Sequence, residues 1–136
     1  MIRTILHFAV LVAGAVVGSP LASAGSENSF PFGSELMLDQ APIHGSKRIP
    51  MIEIEEDGAT SIDLWCASAK AQATVGDSSI TIVPGDVQAN AQCELDRQAR
   101  DASLLAQLGQ VTNWRRSGEV IELLGATPLL FRLMTN

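Results

Sequence analysis

Two cysteines, Cys66 and Cys93, bound a stretch that reads as strand, hairpin, strand, hairpin, strand, and the chain has no third cysteine. What this pair does depends on the compartment, and the first residues predict one. Arg3 gives a positive start and Ile5 to Val17 is an apolar run of 13 residues. Pro20 follows, then Ala22-Ser23-Ala24 as a small-residue cleavage site before Gly25. That order is the grammar of a secretory signal peptide, and the run is short of the roughly 20 residues a membrane span takes. Residues 1–24 are therefore expected to be removed. No cysteine stands at the cleavage point, so the product is expected to be periplasmic or secreted and not a lipoprotein. In an oxidising compartment two cysteines in a small domain are usually paired. Closing the loop from Cys66 to Cys93 would contribute roughly 3–4 kcal/mol in the chain-entropy account. Two buried free thiols are the alternative.

The mature chain would run from Gly25 to Asn136. Without Arg3 it keeps eight basic side chains against fifteen acidic ones, a net charge of −7. A negative field disfavours nucleic acid and anionic membrane surfaces. After Val17 no segment is long and apolar enough to span a bilayer. Residues 25–32 carry Gly, Ser and Pro and read as a flexible leader. Residues 33–136 read as one domain.

Within that domain the apolar period is two. Glu35 to Asp39 is the first candidate strand, and Gln40 to Arg48 reads as a loop. Met51 to Glu55 alternates, Asp57-Gly58 signals a two-residue hairpin, and Ser61 to Cys66 alternates again. Ile62, Leu64 and Cys66 fall on one face there, so Trp65 is expected on the other. Ala71, Ala73 and Val75 share a face, and Ile80 and Ile82 share the next after a turn at Gly76-Asp77. Pro84-Gly85-Asp86 is expected to break the chain. Val87, Ala89, Ala91 and Cys93 then line up in phase, which would put both cysteines on core faces. The period changes to three and four near residue 96. Asp101 reads as a good N-cap. An earlier start near Glu94 to Gln98 is the alternative, because Leu95, Ala99, Ala102 and Leu105 continue the spacing. Ala102, Leu105 and Leu108 read as the inward stripe and Gly109 as the stop, for a helix over about 96–108. Val111 to Arg115, Val120 to Leu124 and Leu129 to Leu133 complete the strands. The expected fold is mainly β: about eight antiparallel strands in a barrel-like sheet with one helix packed across it.

The order of these residues resembles the META domain, the HslJ-like family of exported bacterial proteins. The likeness rests on Asp57-Gly58, Cys66, Cys93, Asp101, Leu105, Leu108, Val111, Trp114, Leu123 and Leu129 to Phe131, and covers roughly residues 33–134. Two positions depart from the family pattern. Its Gly-Cys-Asn stands here as Trp65-Cys66-Ala67, and its threonine four residues before the second cysteine stands as Ala89. The resemblance implies a small envelope barrel, like lipid-binding barrels and secretin pilot proteins, in a family tied to stress and antibiotic tolerance without an agreed activity.

The chemistry-bearing residues form no catalytic set. Glu53, Glu55, Glu56 and Asp57 are acidic neighbours, but their spacing is not that of a calcium loop, and the solvated end of a hairpin accounts for them. His44, the only histidine after the leader, lies in a Pro/Gly loop without an obvious nucleophile. No G-x-S-x-G, phosphate loop or C-x-x-C motif occurs, and two cysteines with one histidine do not make a zinc site. No metal and no cofactor is expected. Trp65 and Trp114, with Arg115 and Arg116, form the candidate binding surface. For both tryptophans packing under the helix or across the barrel rim is the other reading, preferred for Trp114 and left open for Trp65. Lys47-Arg48 is too short a basic spot for nucleic acid. The expected function is that of an exported, monomeric, non-enzymatic envelope-stress or binding module. The alternatives are a carrier of a small apolar ligand, or a protein inhibitor or assembly partner.

Overall fold

A computed structural model describes residues 28–135. The expected signal peptide, the first residues of the expected leader and Asn136 lie outside the described residues. Eight strands form one antiparallel sheet: β1 (Leu36–Leu38), β2 (Met51–Ile54), β3 (Ala59–Asp63), β4 (Ser68–Val75), β5 (Ile80–Gln88), β6 (Asn113–Ser117), β7 (Val120–Leu124) and β8 (Leu129–Leu133). One helix, α1 (Leu95–Leu108), lies between β5 and β6 in the chain. The strand order is β5-β4-β3-β2-β1-β8-β7-β6, so the first and last strands of the chain pair at the centre and β5 and β6 are the edges.

The sheet curls into a half-barrel around the apolar rows that its strands turn to one side, while Val83, Val87 and Leu130 stay on the outer face. Cross-strand rows make this concrete. Ala69, Ile62, Ile52 and Leu36 stand side by side across β4, β3, β2 and β1. Trp114, Leu123 and Leu129 do the same across β6, β7 and β8. Leu36, Ile80, Ile121, Leu123 and Phe131 are fully removed from water, and burying a side chain of that size is worth about 1.5–3 kcal/mol. The curl brings the two edges together at one seam. Ile80 N–H donates to Thr112 O (3.0 Å), and Trp114 N–H donates to Ser78 O (2.9 Å).

Four expectations are corrected. First, β3 ends at Asp63, and Trp65 and Cys66 lie in a turn closed by Leu64 N–H donating to Ala67 O (2.9 Å). Alternation does not survive a turn, so Trp65 is buried, at 7% exposure, instead of facing out. Second, Pro84-Gly85 does not break the chain. β5 runs on to Gln88 and takes up one extra residue as a bulge opposite Ala69 and Ala71. An edge strand tolerates this, since a proline there forfeits no ladder bond. Residues 89–92 are therefore an exposed loop and not a core-facing strand, and Cys93 sits half-buried just before α1. Third, the earlier of the two expected helix starts holds and Asp101 is no N-cap: α1 begins at Leu95 after Glu94, and Asp101, Leu104 and Leu108 form its buried stripe while Ala102 is exposed. Gly109 ends the helix in right-handed geometry (φ −68°). Fourth, Phe30 is buried in the core cluster, so part of the expected leader belongs to the domain.

Candidate functional site

Asp101 explains why the turn at Cys66 exists. Its carboxylate accepts three backbone N–H bonds from residues more than thirty positions earlier: Trp65 to Oδ1 (2.9 Å), and Cys66 (3.0 Å) and Ala67 (2.8 Å) to Oδ2. A strand would have given those donors to a neighbour; here they are gathered onto one buried anion, the strong charge-assisted kind of bond. Cys66 and Cys93 are joined, with Cα atoms 6.0 Å apart. The cystine and Asp101 therefore fasten α1 and the loop before it to the same turn. This cluster is fully used in holding the fold.

The four residues of the expected binding surface do not form one. Trp65 packs where Leu38, Leu104 and Leu129 meet under α1, beside a depression of about 170 Å³. Trp114 lies in a different place. It is 6% exposed, its indole N–H donates to Gly76 O (2.8 Å), and the Phe30 ring meets it edge-on at 5.1 Å. Arg115 points outward and pairs with Glu122. Arg116 is half-buried; its Nε donates to Gly118 O (2.8 Å) and its Nη1 to Ser29 O (3.1 Å), tying the N-terminal segment to β6. Packing, the reading preferred for Trp114 and left open for Trp65, is what the structure has for both.

Trp114 instead forms part of a groove at one end of the half-barrel. The β4–β5 turn (Val75, Gly76, Asp77), the β2–β3 turn at Glu56, and residues 28–32 converge there around about 710 Å³ of open space. The apolar lining is aromatic: Phe30 sits between Phe32, 5.0 Å away, and Trp114. Two smaller depressions continue it past Phe32 and Glu56. One of about 510 Å³ runs along Glu55 and Asp57, and one of about 270 Å³ runs along Gln72 and Thr74. The interior beneath is occupied by Leu36, Ile52, Ile54, Ile62, Leu108 and Phe131. Sequence reading missed this groove because Phe30 and Phe32 were placed in the leader. The available signal was aromatic economy: of the four phenylalanines in the chain, two stand within three residues of each other there.

Elsewhere, Arg97 Nη1 donates to Gly45 O (3.2 Å) while its Nε is buried without a partner among the described residues. On the outer face of the sheet Lys70 Nζ donates to Ser61 Oγ (2.8 Å), but both are exposed, so nothing withdraws this pair from water. Beside it, burial pushes the Glu53 carboxyl above the ordinary glutamate range, and a hydrogen bond and like charge from Glu55 add to the effect. His44 is exposed in its loop. Among the described residues no group of three or more His, Cys, Asp or Glu is placed to hold a metal ion. Among them, too, no helix is long and apolar enough to cross a membrane.

No family model and no curated protein matches the chain. Among solved structures it is similar to a protein whose structure was determined by NMR, with a TM-score of 0.55 at 16% identity, over 74% of this chain and 89% of the other. At that identity the likeness shows the fold alone.

Proposed function

We propose that this chain is an exported, META-like module of the cell envelope that acts by binding a protein partner, with the groove at the end of the half-barrel as its contact site. The observation that carries the reading is the groove itself. Three aromatic rings are spent on one open end of a chain whose tryptophans and phenylalanines after residue 24 number five. Aromatic anchors in a concave, partly dry setting are the usual source of binding energy at protein interfaces. The cystine is compatible with export. A carrier of a small apolar ligand would need the interior space that Leu36, Ile62 and Phe131 take up, so the assembly-partner or inhibitor reading is preferred.

The test is capture from envelope extract on immobilised residues 25–136, side by side with a Phe32→Glu variant. Phe32 is half-buried on the groove wall, so the variant is expected to fold. A partner held by the first and lost by the second is expected. Equal retention by both would move the contact site elsewhere, and catalytic turnover by the purified chain would overturn the reading.

A further inference from the structure

The groove is asymmetric in charge. Glu56 and Asp77 stand on its rim, and Glu55 and Asp57 line the depression that prolongs it past Phe32. Among the described residues no lysine, arginine or histidine lines any of the three connected depressions. Nor is any of these four carboxylates in an ion pair, although Asp39, Asp63, Glu94, Asp96 and Glu122 all are. Five of the eight described basic side chains are matched to acidic ones elsewhere, whereas Lys70 and Arg116 bond to neutral oxygens, and Glu35, Asp86 and Glu119 also stand outside ion pairs. What sets the groove apart is four carboxylates and no lining cation around an apolar, aromatic floor.

Resting on the binding role proposed for this groove, we infer that its partner is a basic polypeptide segment, an apolar side chain of which seats against Phe32 and Val75 while neighbouring lysines or arginines meet the rim. Glu55, Glu56 and Asp57 stand at the β2–β3 turn and Asp77 at the β4–β5 turn, and among the described residues no three such groups are placed to hold one metal ion. That distribution suits several positive charges carried along a chain and does not suit one small cation. Apolar contact supplies the affinity; the rim speeds encounter and rejects acidic segments. The interaction is accordingly sensitive to salt, since exposed charges are screened beyond about 10 Å at 0.1 M ionic strength.

Residues 25–136 carry two indole N–H groups, and they report separately. Trp114 lies in the groove, and Trp65 lies away from it under α1. The probe is a short peptide of lysines around two phenylalanines, compared with the same peptide carrying serine or glutamate in place of lysine. The lysine peptide is expected to shift the Trp114 indole N–H resonance and leave that of Trp65 in place. Binding is expected to weaken about tenfold when Glu56→Lys and Asp77→Lys reverse the rim, and to weaken also with added salt. Both residues are exposed, and the milder pair Glu56→Gln and Asp77→Asn serves if the reversed chain unfolds. A serine peptide that binds as well as the lysine one, with no effect of either rim pair, overturns the basic partner and leaves the groove as a contact site. Silence of the Trp114 signal toward all three peptides overturns the groove as well. A Trp114 shift that appears on concentrating the protein alone makes a second copy of this chain the occupant, and also overturns the inference.

Discussion

Asp101 is the residue whose role departs furthest from its local sequence. An aspartate in mid-helix is unfavourable by propensity, and beside Ala102 and Leu105 it reads as a cap. Its true partners, the N–H groups of residues 65–67, are remote in the chain, and no periodicity can reveal them. Removing the carboxylate leaves three donors without their acceptor, two of them in residues at 7% exposure or less beside a third equally buried. Asp101→Ala is expected to lower unfolding free energy by roughly 3–5 kcal/mol and Asp101→Asn by roughly 2 kcal/mol, since the amide retains part of the acceptor capacity. Urea midpoints for the two variants check this; an Asp101→Ala loss below about 1 kcal/mol would refute the assignment. Glu53 gives a prediction of opposite sign. Its carboxyl is held above the ordinary value in the folded state, mainly by burial and then by Glu55. A raised carboxyl disfavours the fold where it is ionised, above its folded value, and ceases to do so below the unfolded value of about 4.3. Glu53→Gln should therefore melt at a higher temperature than the parent at neutral pH, with the gap closing by about pH 3. A gap that is constant across that range would show that the carboxyl's titration is not involved.

At the scale of elements, the strands were legible wherever turn chemistry and alternation agreed. β2, β7 and β8 fall within a residue of their expected bounds, and Asp57-Gly58 does make the β2–β3 turn. The failures came where an element's status depends on its neighbours. Pro84-Gly85 breaks a central strand but not an edge strand with a bulge, and no local pattern says which strand will be at the edge. Likewise the hairpin glycines look alike in sequence and differ in the fold. Gly58 has φ +86°, and a Cβ there would stand 2.2 Å from Ala73 O, whose residue donates its own N–H to Gly58 O (2.8 Å). Gly118 has φ +62° and nothing within 4 Å of a Cβ. Gly118→Ala should cost only the left-handed penalty, about 1–2 kcal/mol. Gly58→Ala adds a backbone clash between β3 and β4 and should cost roughly 3 kcal/mol or more. Equal thermal shifts for the two variants would mean that the β2–β3 turn yields without disturbing β4.

The whole molecule is a sheet whose edges meet at a short seam, where Ile80 donates to Thr112 O, Trp114 to Ser78 O and Gly76 O, and Asn113 to Ser78 O, with the helix linking one edge strand to the other in the chain. α1 is held from the far side by two ties to one turn, the Cys66–Cys93 bridge and the Asp101 carboxylate. One tie is covalent and acts through the unfolded chain, where closing the loop removes roughly 3–4 kcal/mol worth of conformational entropy. The other is polar and acts only in the folded state. Either alone keeps the turn against the helix, so each single loss is partly covered by the survivor. Cys66→Ala with Cys93→Ala, and Asp101→Asn, should each leave the native half-barrel in place. Combined, they should cost more than the sum of the separate losses, by about 1 kcal/mol or more of coupling. The excess should appear as local opening. Amides of residues 97–108 would then exchange well before those of β1, β7 and β8, whose pairing at the centre of the sheet needs neither tie. Simple additivity, with helix and sheet amides exchanging together, would instead mean that α1 is held by the burial of Leu104 and Leu108 and that the two ties merely add to it.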